Sequence, residues 1–440
     1  MSNCDIVELS FANREKGECK MYDLLVIGWG KGGKTLALKC AKKGLKVAMI
    51  EKDPNMFGGT CINCACLPTK SLEKSAKIVN QAKKLGVEVN AEQVFLTAMK
   101  EKQEMVEKLN KKNYGLLSNE ENVDVFVGDA QFVSNHEVKV NDTVLTAKNI
   151  VINTGSTPRR IGNYKTSEEI LQLTALPKKL LIVGAGFIGL EFASIFNHFG
   201  TQVTVSQIDG NFMPSEDQED AQRVLQAMKQ RGIQFLFNQK EVDAQGYDEV
   251  LVSIGRKPNT ENLGLENTDI QVGARGEIAV DEMLRTSVEG VYAVGDVKGA
   301  PFFTYISLDD SRIVLPHLFG QQPTHTTKDR AGFATAAFID PCFARAGYNE
   351  TQAKANHIAY TLYQKDTAAI PKAHVIRETV GFSKILVNEM DEIIGATLYH
   401  PQAHEMINLL SVAIKEKIKF TTLKNFLYTH PTFTESLNDY

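Results

Sequence analysis

The chain has 440 residues, 43% of them apolar and 23% charged, with a formal net charge of −4. At about 100–200 residues per domain this is room for about three domains, and the slightly acidic balance argues against nucleic acid or an anionic membrane as a partner. No apolar run reaches the ~18 residues that cross a bilayer, and the opening MSNCDIVELSFANREKGECK is too polar for a secretory signal, so the expected compartment is the cytoplasm.

Residues 1–20 read as an extension foreign to the rest of the chain. A strand pattern, Tyr22-Asp23-Leu24-Leu25-Val26-Ile27, starts directly after Met21, which is a candidate natural start. That strand opens a first nucleotide-binding unit. It leads into Gly28-Trp29-Gly30-Lys31-Gly32-Gly33, then a helix, then the strand LKVAMIE. Glycines at 28, 30 and 33 suit a tight turn, close approach to a pyrophosphate and close helix–strand packing. The helix N-terminus faces the phosphates. Glu51 ends the second strand, where an acid would hold a ribose.

Next comes GGTCINCACLPTK at 58–70. Cys61 and Cys66, separated by four residues at a helix start, can cycle between disulfide and dithiol, because a helix N-terminus favours a thiolate. A purely structural disulfide is disfavoured without a secretory signal. A zinc site lacks a second Cys or His pair at similar spacing, so no metal is expected. Cys64 lies between them as either a third exchangeable thiol, able to help hold a soft metal, or a small buried side chain.

A second unit starts at Lys179. The strand KLLIVG leads to Gly184-Ala185-Gly186-Phe187-Ile188-Gly189, the helix LEFASIFNHFG and the strand QVTVSQ. Gln207 stands where Glu51 stands in the first unit. It is neither the acid of an NADH site nor the base of an NADPH site, and with no Arg between 201 and 215 the leaning is toward NADH. Two units imply two dinucleotides, and a redox pair beside the first implies a flavin between nicotinamide and disulfide. Beyond about 328 the chain reads as strands and helices: TAAFIDP, HIAYTLYQ, KILVNEMDEIIGATLYH with a turn at Asp391-Glu392, then the helix AHEMINLLSVAIK.

Residues 21–440 resemble the class I pyridine nucleotide–disulfide oxidoreductases, the group of glutathione reductase, lipoamide dehydrogenase and mercuric reductase. The resemblance rests on five motifs in order: the redox box at 58–70; Asn153-Thr154-Gly155-Ser156-Thr157-Pro158; Gly255-Arg256-Lys257-Pro258-Asn259; Val291-Tyr292-Ala293-Val294-Gly295-Asp296; and His430-Pro431-Thr432-Phe433-Thr434-Glu435. GWGKGGKTLA at 28–37, PFFTYISLDDSRIV at 301–314 and the ending HPTFTESLNDY are similar to the reactive-chlorine-resistance branch, described as hypothiocyanous acid reductases.

The resemblance implies an α/β fold with two Rossmann-like dinucleotide-binding domains and a C-terminal α+β dimerisation domain. FAD would occupy 21–163 and 256–327, and NADH or NADPH a shortened domain at 164–255; 328–440 would form the interface of a homodimer. Residues 207–250 are short for this fold, since a longer β-meander is usual there. Cys61 would attack substrate and Cys66 would be the charge-transfer thiol. Lys70 and Glu191 would form the ion pair beside the flavin, Phe187 the gate over the nicotinamide, and His430, oriented by Glu435, the acid–base group. Flavin contacts would come from Gly28, Gly30, Gly33, Glu51, Lys52, Gly59, Thr60, Lys70, Thr154, Gly155, Gly255, Gly295 and Asp296. Nicotinamide contacts would come from Gly184, Gly186, Phe187, Gly189 and Gln207. The substrate implied is a small oxidant, hypothiocyanous acid first. The alternatives are lipoamide, a glutathione-type disulfide, mercuric or Cu(II) ion, or a non-enzymatic role as a flavin-binding redox or copper sensor.

Overall fold

The computed structural model describes residues 21–330 and 332–440; the extension read at 1–20 lies outside the described residues. Strand β1 (Met21–Ile27) is buried from Leu24 onward, as a strand covered on both faces must be. It passes through the glycine loop into α1 (Lys31–Ala41) and then β2 (Val47–Glu51), which pairs with β1 in parallel. Two helices come in quick succession, α2 (Thr60–Asn63) and α3 (Cys66–Lys84). The long α4 (Ala91–Ser118) is capped by Asn90, whose side chain accepts the Gln93 N–H. Strands β3 (Val123–Val127), β4 (Ala130–Ser134), β5 (Glu137–Val140) and β6 (Thr143–Ile152) complete a sheet of order β3-β2-β1-β6-β5-β4.

β7 (Ser156–Pro158) leaves this sheet. The second unit comprises β8 (Lys165–Thr166), β9 (Lys179–Val183), α5 (Phe187–Phe199), β10 (Gln202–Ser206), α6 (Gln218–Gln230), β11 (Gln234–Leu236) and β12 (Glu249–Val252). Its strands are all parallel, in the order β11-β10-β9-β12-β8. Residues 237–248 join β11 to β12 with no strand between them. β13 (Arg256–Pro258) pairs antiparallel with β7, so the chain re-enters beside its point of exit. β14 (Val291–Ala293) then rejoins the first sheet on β6, and α7 (Thr304–His317) packs on α1.

The last unit is an antiparallel sheet of β15 (Thr335–Ala337), β16 (Phe343–Gly347), β17 (Thr361–Asp366), β18 (Phe382–Val387) and β19 (Ile393–Tyr399), in the order β15-β16-β19-β18-β17, covered by α8 (Ala403–Lys415). The β18–β19 hairpin turns at 388–392, with Asp391 at φ 62. One reading from sequence changes here, and one strand is new. The strand expected from His357 begins only at Thr361, since His357 itself adopts φ 54 at a helix end. And Phe-Ala-Arg-Ala-Gly at 343–347, which carries little strand signal because its small residues show no apolar alternation, is the interior strand β16.

One apolar core joins α3, α4, the second sheet and the last unit through Phe95, Phe196, Phe199, Phe343 and Tyr399. A buried ion cluster also spans the seam. Lys384 Nζ lies 2.8 Å from Asp220 Oδ1 and 3.2 Å from Glu350 Oε1. Among the described residues no helix is long and apolar enough to cross a membrane.

Candidate active site

Gly58 and Gly59 carry the chain into the redox segment. Gly59 has φ 77, and a Cβ there would stand 2.8 Å from Gly30 Cα, so the cysteine loop is pressed against the first glycine loop with no space for a side chain. Asn63 pins α2 by donating its amide to Phe57 O (3.1 Å) and Gly59 O (2.9 Å). The backbone then breaks at Cys64 and Ala65 and restarts at Cys66, the first residue of α3. Only Cys66 therefore opens a long helix; Cys61 sits one short helix earlier.

The two thiols are within hydrogen-bonding reach and titrate in opposite directions. Cys66 falls to about 6, because Cys61 donates its S–H to it and, against the penalty of burial, Thr304 and Lys70 favour the thiolate. The Cys66 Sγ to Thr304 Oγ1 separation is 3.6 Å. Cys61 is pushed up, first by the Cys66 sulfur and then by burial. Cys66 is thus the resting thiolate of the reduced pair and Cys61 the protonated partner. Cys64 faces elsewhere: burial raises it to about 12, beside Glu168 and Arg256.

Four residues along α3, on the face of Cys66, Lys70 reaches Glu191 in the first turns of α5, Nζ to Oε2 at 2.5 Å. Glu191 Oε1 accepts the Phe338 N–H at 2.9 Å, and Lys70 lies 4.3 Å over the Phe338 ring. Redox helix, nucleotide helix and last unit meet at this pair.

The first glycine loop packs on Asn153. A Cβ on Gly28 would fall 2.3 Å from Asn153 O and one on Gly30 2.6 Å from Asn153 Oδ1. The Gly33 N–H donates to Asn153 Oδ1 (2.8 Å), and Asn153 Nδ2 donates to Val294 O (2.8 Å). Glu51 is buried and accepts from the N–H groups of Trp29 (3.0 Å), Lys52 (2.9 Å) and Asp53 (3.3 Å), leaving acceptor capacity for a ribose. The Lys52 side chain is exposed, and Thr60 opens α2.

Thr154 Oγ1 donates to Asn259 O (2.7 Å), and Gly155 O accepts the Asn259 N–H (2.9 Å). Gly255 O accepts the Arg159 N–H (2.9 Å). Asp296 accepts from Ser156 Oγ (2.6 Å), and the Gly295 N–H donates to buried Asp310 (2.7 Å). A glycine loop at the N-terminus of α1, a buried acid at the end of β2 and the redox loop pressed against that glycine loop fit a flavin dinucleotide.

The second loop repeats the construction. Gln207 Oε1 accepts the Ala185 N–H (3.0 Å), the bond that Glu51 makes to Trp29, while its Nε2 donates to Asp209 Oδ1 (3.2 Å). Gly184 and Gly189 pack on Ser253, whereas Gly186 faces open space, and half-buried Phe187 starts α5 beside it. At the C-terminus, His430 Nδ1 bonds Glu435 Oε2 at 2.7 Å, and Glu435 Oε1 accepts the Thr432 N–H (2.9 Å). The imidazole is 72% exposed. Among the described residues no group of three or more His, Cys, Asp or Glu could hold a metal ion.

Sequence reasoning passed over Asn153 as a tether, Thr304 beside Cys66, and Asp209. Asn153 and Thr304 lie inside recognised motifs but bond across 120 and 238 residues, and Asp209 stands two positions beyond the expected acid.

The profile described as "Pyridine nucleotide-disulphide oxidoreductase" matches residues 22–314, and that of its dimerisation domain matches 333–440. The chain belongs to this family. It is 36% identical over 446 residues to the Escherichia coli protein named "Probable pyridine nucleotide-disulfide oxidoreductase RclA", covering 95% of this chain and 98% of that one. It is 31% identical to a mercuric reductase of Lysinibacillus sphaericus (94% and 81% covered) and 31% identical to a dihydrolipoyl dehydrogenase of Bacillus subtilis (94% and 94%). The solved "Cu(II) complex of HOCl-induced flavoprotein disulfide reductase RclA from Escherichia coli" superposes with a TM-score of 0.88 at 33% identity, covering 96% of this chain and 98% of that one. The chain is a class I, RclA-type flavoprotein disulfide oxidoreductase with the α/β fold of that group, and its cofactors are FAD and NADH or NADPH.

Proposed function

We propose that this oxidoreductase reduces a small sulfur oxidant, hypothiocyanous acid, to thiocyanate in the cytoplasm, as a homodimer whose active sites each combine Cys61 and Cys66 of one subunit with His430 of the other. The observation that carries the reading is the placement of the cysteine pair: Cys66 opens α3 one turn before the Lys70–Glu191 ion pair, and Cys61 stands one short helix earlier. Bound FAD supplies two-electron transfer from the nicotinamide to the disulfide.

The chain's own residues do the rest. His430, oriented by Glu435, takes the Cys61 proton. The Cys61 sulfur attacks the sulfur of HOSCN, forming Cys61–S–S–CN; the hydroxide displaced takes the proton from His430 and leaves as water. The Cys66 thiolate then attacks the Cys61 sulfur, closing the disulfide and releasing thiocyanate. The net reaction converts NAD(P)H and HOSCN to NAD(P)+, water and thiocyanate. His430 is open to solvent in its own chain, and exposed Phe426 and Leu427 sit just before it, as a segment reaching into a partner would. The likeness to a relative described as HOCl-induced supports an oxidant substrate.

The test is oxidation of NADH and of NADPH by purified flavin-loaded protein with hypothiocyanous acid, oxidised glutathione, lipoamide and Cu(II) run in parallel. Fast turnover confined to hypothiocyanous acid is expected. Preference for lipoamide or glutathione overturns the substrate, and flavin binding without turnover of any acceptor favours a sensor.

A further inference from the structure

Lys70 serves Cys66, and a second lysine bonds the loop that leads into the other thiol. Lys34, in the first turn of α1, bonds Asn113 Oδ1 at 2.5 Å and Gly58 O at 3.5 Å. Asn113 is buried on α4, and its orientation is set by its own amide donating to Leu109 O (2.7 Å). Gly58 is three residues before Cys61, and a Cβ on it would lie 3.1 Å from Asn113 Cγ, so glycine loop, redox loop and α4 close around one ammonium. These partners occupy two of the three N–H donors of the ammonium. Both partners are neutral oxygens, so they solvate the ammonium without cancelling its charge.

We propose that Lys34 is the anion-binding residue of the substrate side, pairing with the negative charge of an anionic oxidant or of the anion expelled from Cys61. This rests on the reading of Cys61 as the thiol that meets substrate. Its surroundings agree. The charges of Lys34 and Cys61 act on each other, and that of Lys70 acts on Cys66. Burial, then the neighbouring Lys31, lower Lys34 to about 8, as an under-neutralised cation should be lowered, while Cys61, when ionised, works the other way. Hypothiocyanite and thiocyanate are both small monoanions, and an ammonium held on the loop that carries the reacting sulfur, with two of its three donors engaged by described residues, suits either.

The test separates charge from folding and from the identity of the oxidant. Flavin-loaded dimer, reduced anaerobically with stoichiometric nicotinamide, is mixed with the dianionic disulfide dithiobis(nitrobenzoate) or the neutral dithiodipyridine. In each case Cys61 attacks one sulfur and expels an aryl thiolate, and Cys66 then expels the second. The quantity read is the ratio of the two rates, in which a general loss of fold or of redox competence cancels. In Lys34→Met the anionic-to-neutral ratio is expected to fall at least about fivefold, the effect of one partly screened unit charge at contact, and its salt dependence to flatten. Lys34→Arg should retain most of both. An unchanged ratio in Lys34→Met overturns the proposal. Wild-type turnover of hypothiocyanous acid, measured alongside, tests the substrate reading separately: its absence removes that oxidant and leaves the ratio to decide the lysine.

Discussion

Lys70 and Glu191, 121 residues apart, form a 2.5 Å ion pair whose carboxylate is held from behind by the Phe338 N–H. Three parts of the chain meet there, so the pair both places a positive charge near Cys66 and ties the nucleotide unit to the last unit. Removing the carboxylate charge while keeping its shape, in Glu191→Gln, is expected to slow nicotinamide-driven flavin reduction by about tenfold or more, since a preorganised charge is lost at the point of electron transfer. Anaerobic stopped-flow absorbance checks this; an unchanged reduction rate would remove the pair from the mechanism.

The Cys66 thiolate depends first on the Cys61 S–H. A pKa lowered to about 6 means that the thiolate is present at neutral pH and is lost as the pH falls through about 6. In Cys61→Ala that donor disappears, and the midpoint for alkylation of Cys66 in the reduced protein should move up. The pH dependence of iodoacetamide labelling, mapped by mass spectrometry, reads it directly. Cys61→Ser and Cys66→Ser should each abolish disulfide-dependent turnover.

Cys64 is held as a neutral thiol, raised to about 12 by burial, and faces Glu168 and Arg256. Cys64→Ser should therefore change turnover by less than about twofold, because an un-ionised thiol is a poor nucleophile at neutral pH. A large loss would place Cys64 in the relay.

His430 is bound to Glu435 and open to solvent in a single chain. His430→Ala is expected to lower turnover by about a hundredfold or more, the usual scale for a positioned acid–base group. Mixing refolded Cys61→Ala and His430→Ala subunits should restore activity to about a quarter of wild type, since half of the dimers form with one intact site of two when sites are shared across a twofold axis. No recovery in the mixture would mean that each subunit works alone.

Lys384, nearly fully buried, holds Asp220 of the second unit and Glu350 of the last. Burial raises Asp220 to about 6 even with the lysine present. Lys384→Ala leaves buried Asp220 without its cation, while Glu350 keeps Lys354, and should cost about 3–5 kcal/mol of stability, visible as a lower unfolding midpoint in denaturant.

The elements that carry chemistry were legible because their signals are local. Gly28, Gly30 and Gly33 lie within one turn, Cys61 and Cys66 within one loop, and His430 and Glu435 within one box; short spacing fixes which backbone groups can face a phosphate, a thiolate or an imidazole. The order of those motifs carried the family and hence the layered α/β architecture. The tertiary structure decided whatever depends on partners distant in sequence. Residues 343–347 are a strand because β19 lies beside them. Which of two chemically identical thiols is the thiolate follows first from the hydrogen bond between them and then from Lys70 on the side of Cys66. Asn113, an unremarked polar residue of a long helix, gains its role from the ammonium folded against it. A thiol's proton affinity is set by the charges and donors within a few ångströms of it, and only packing brings those together.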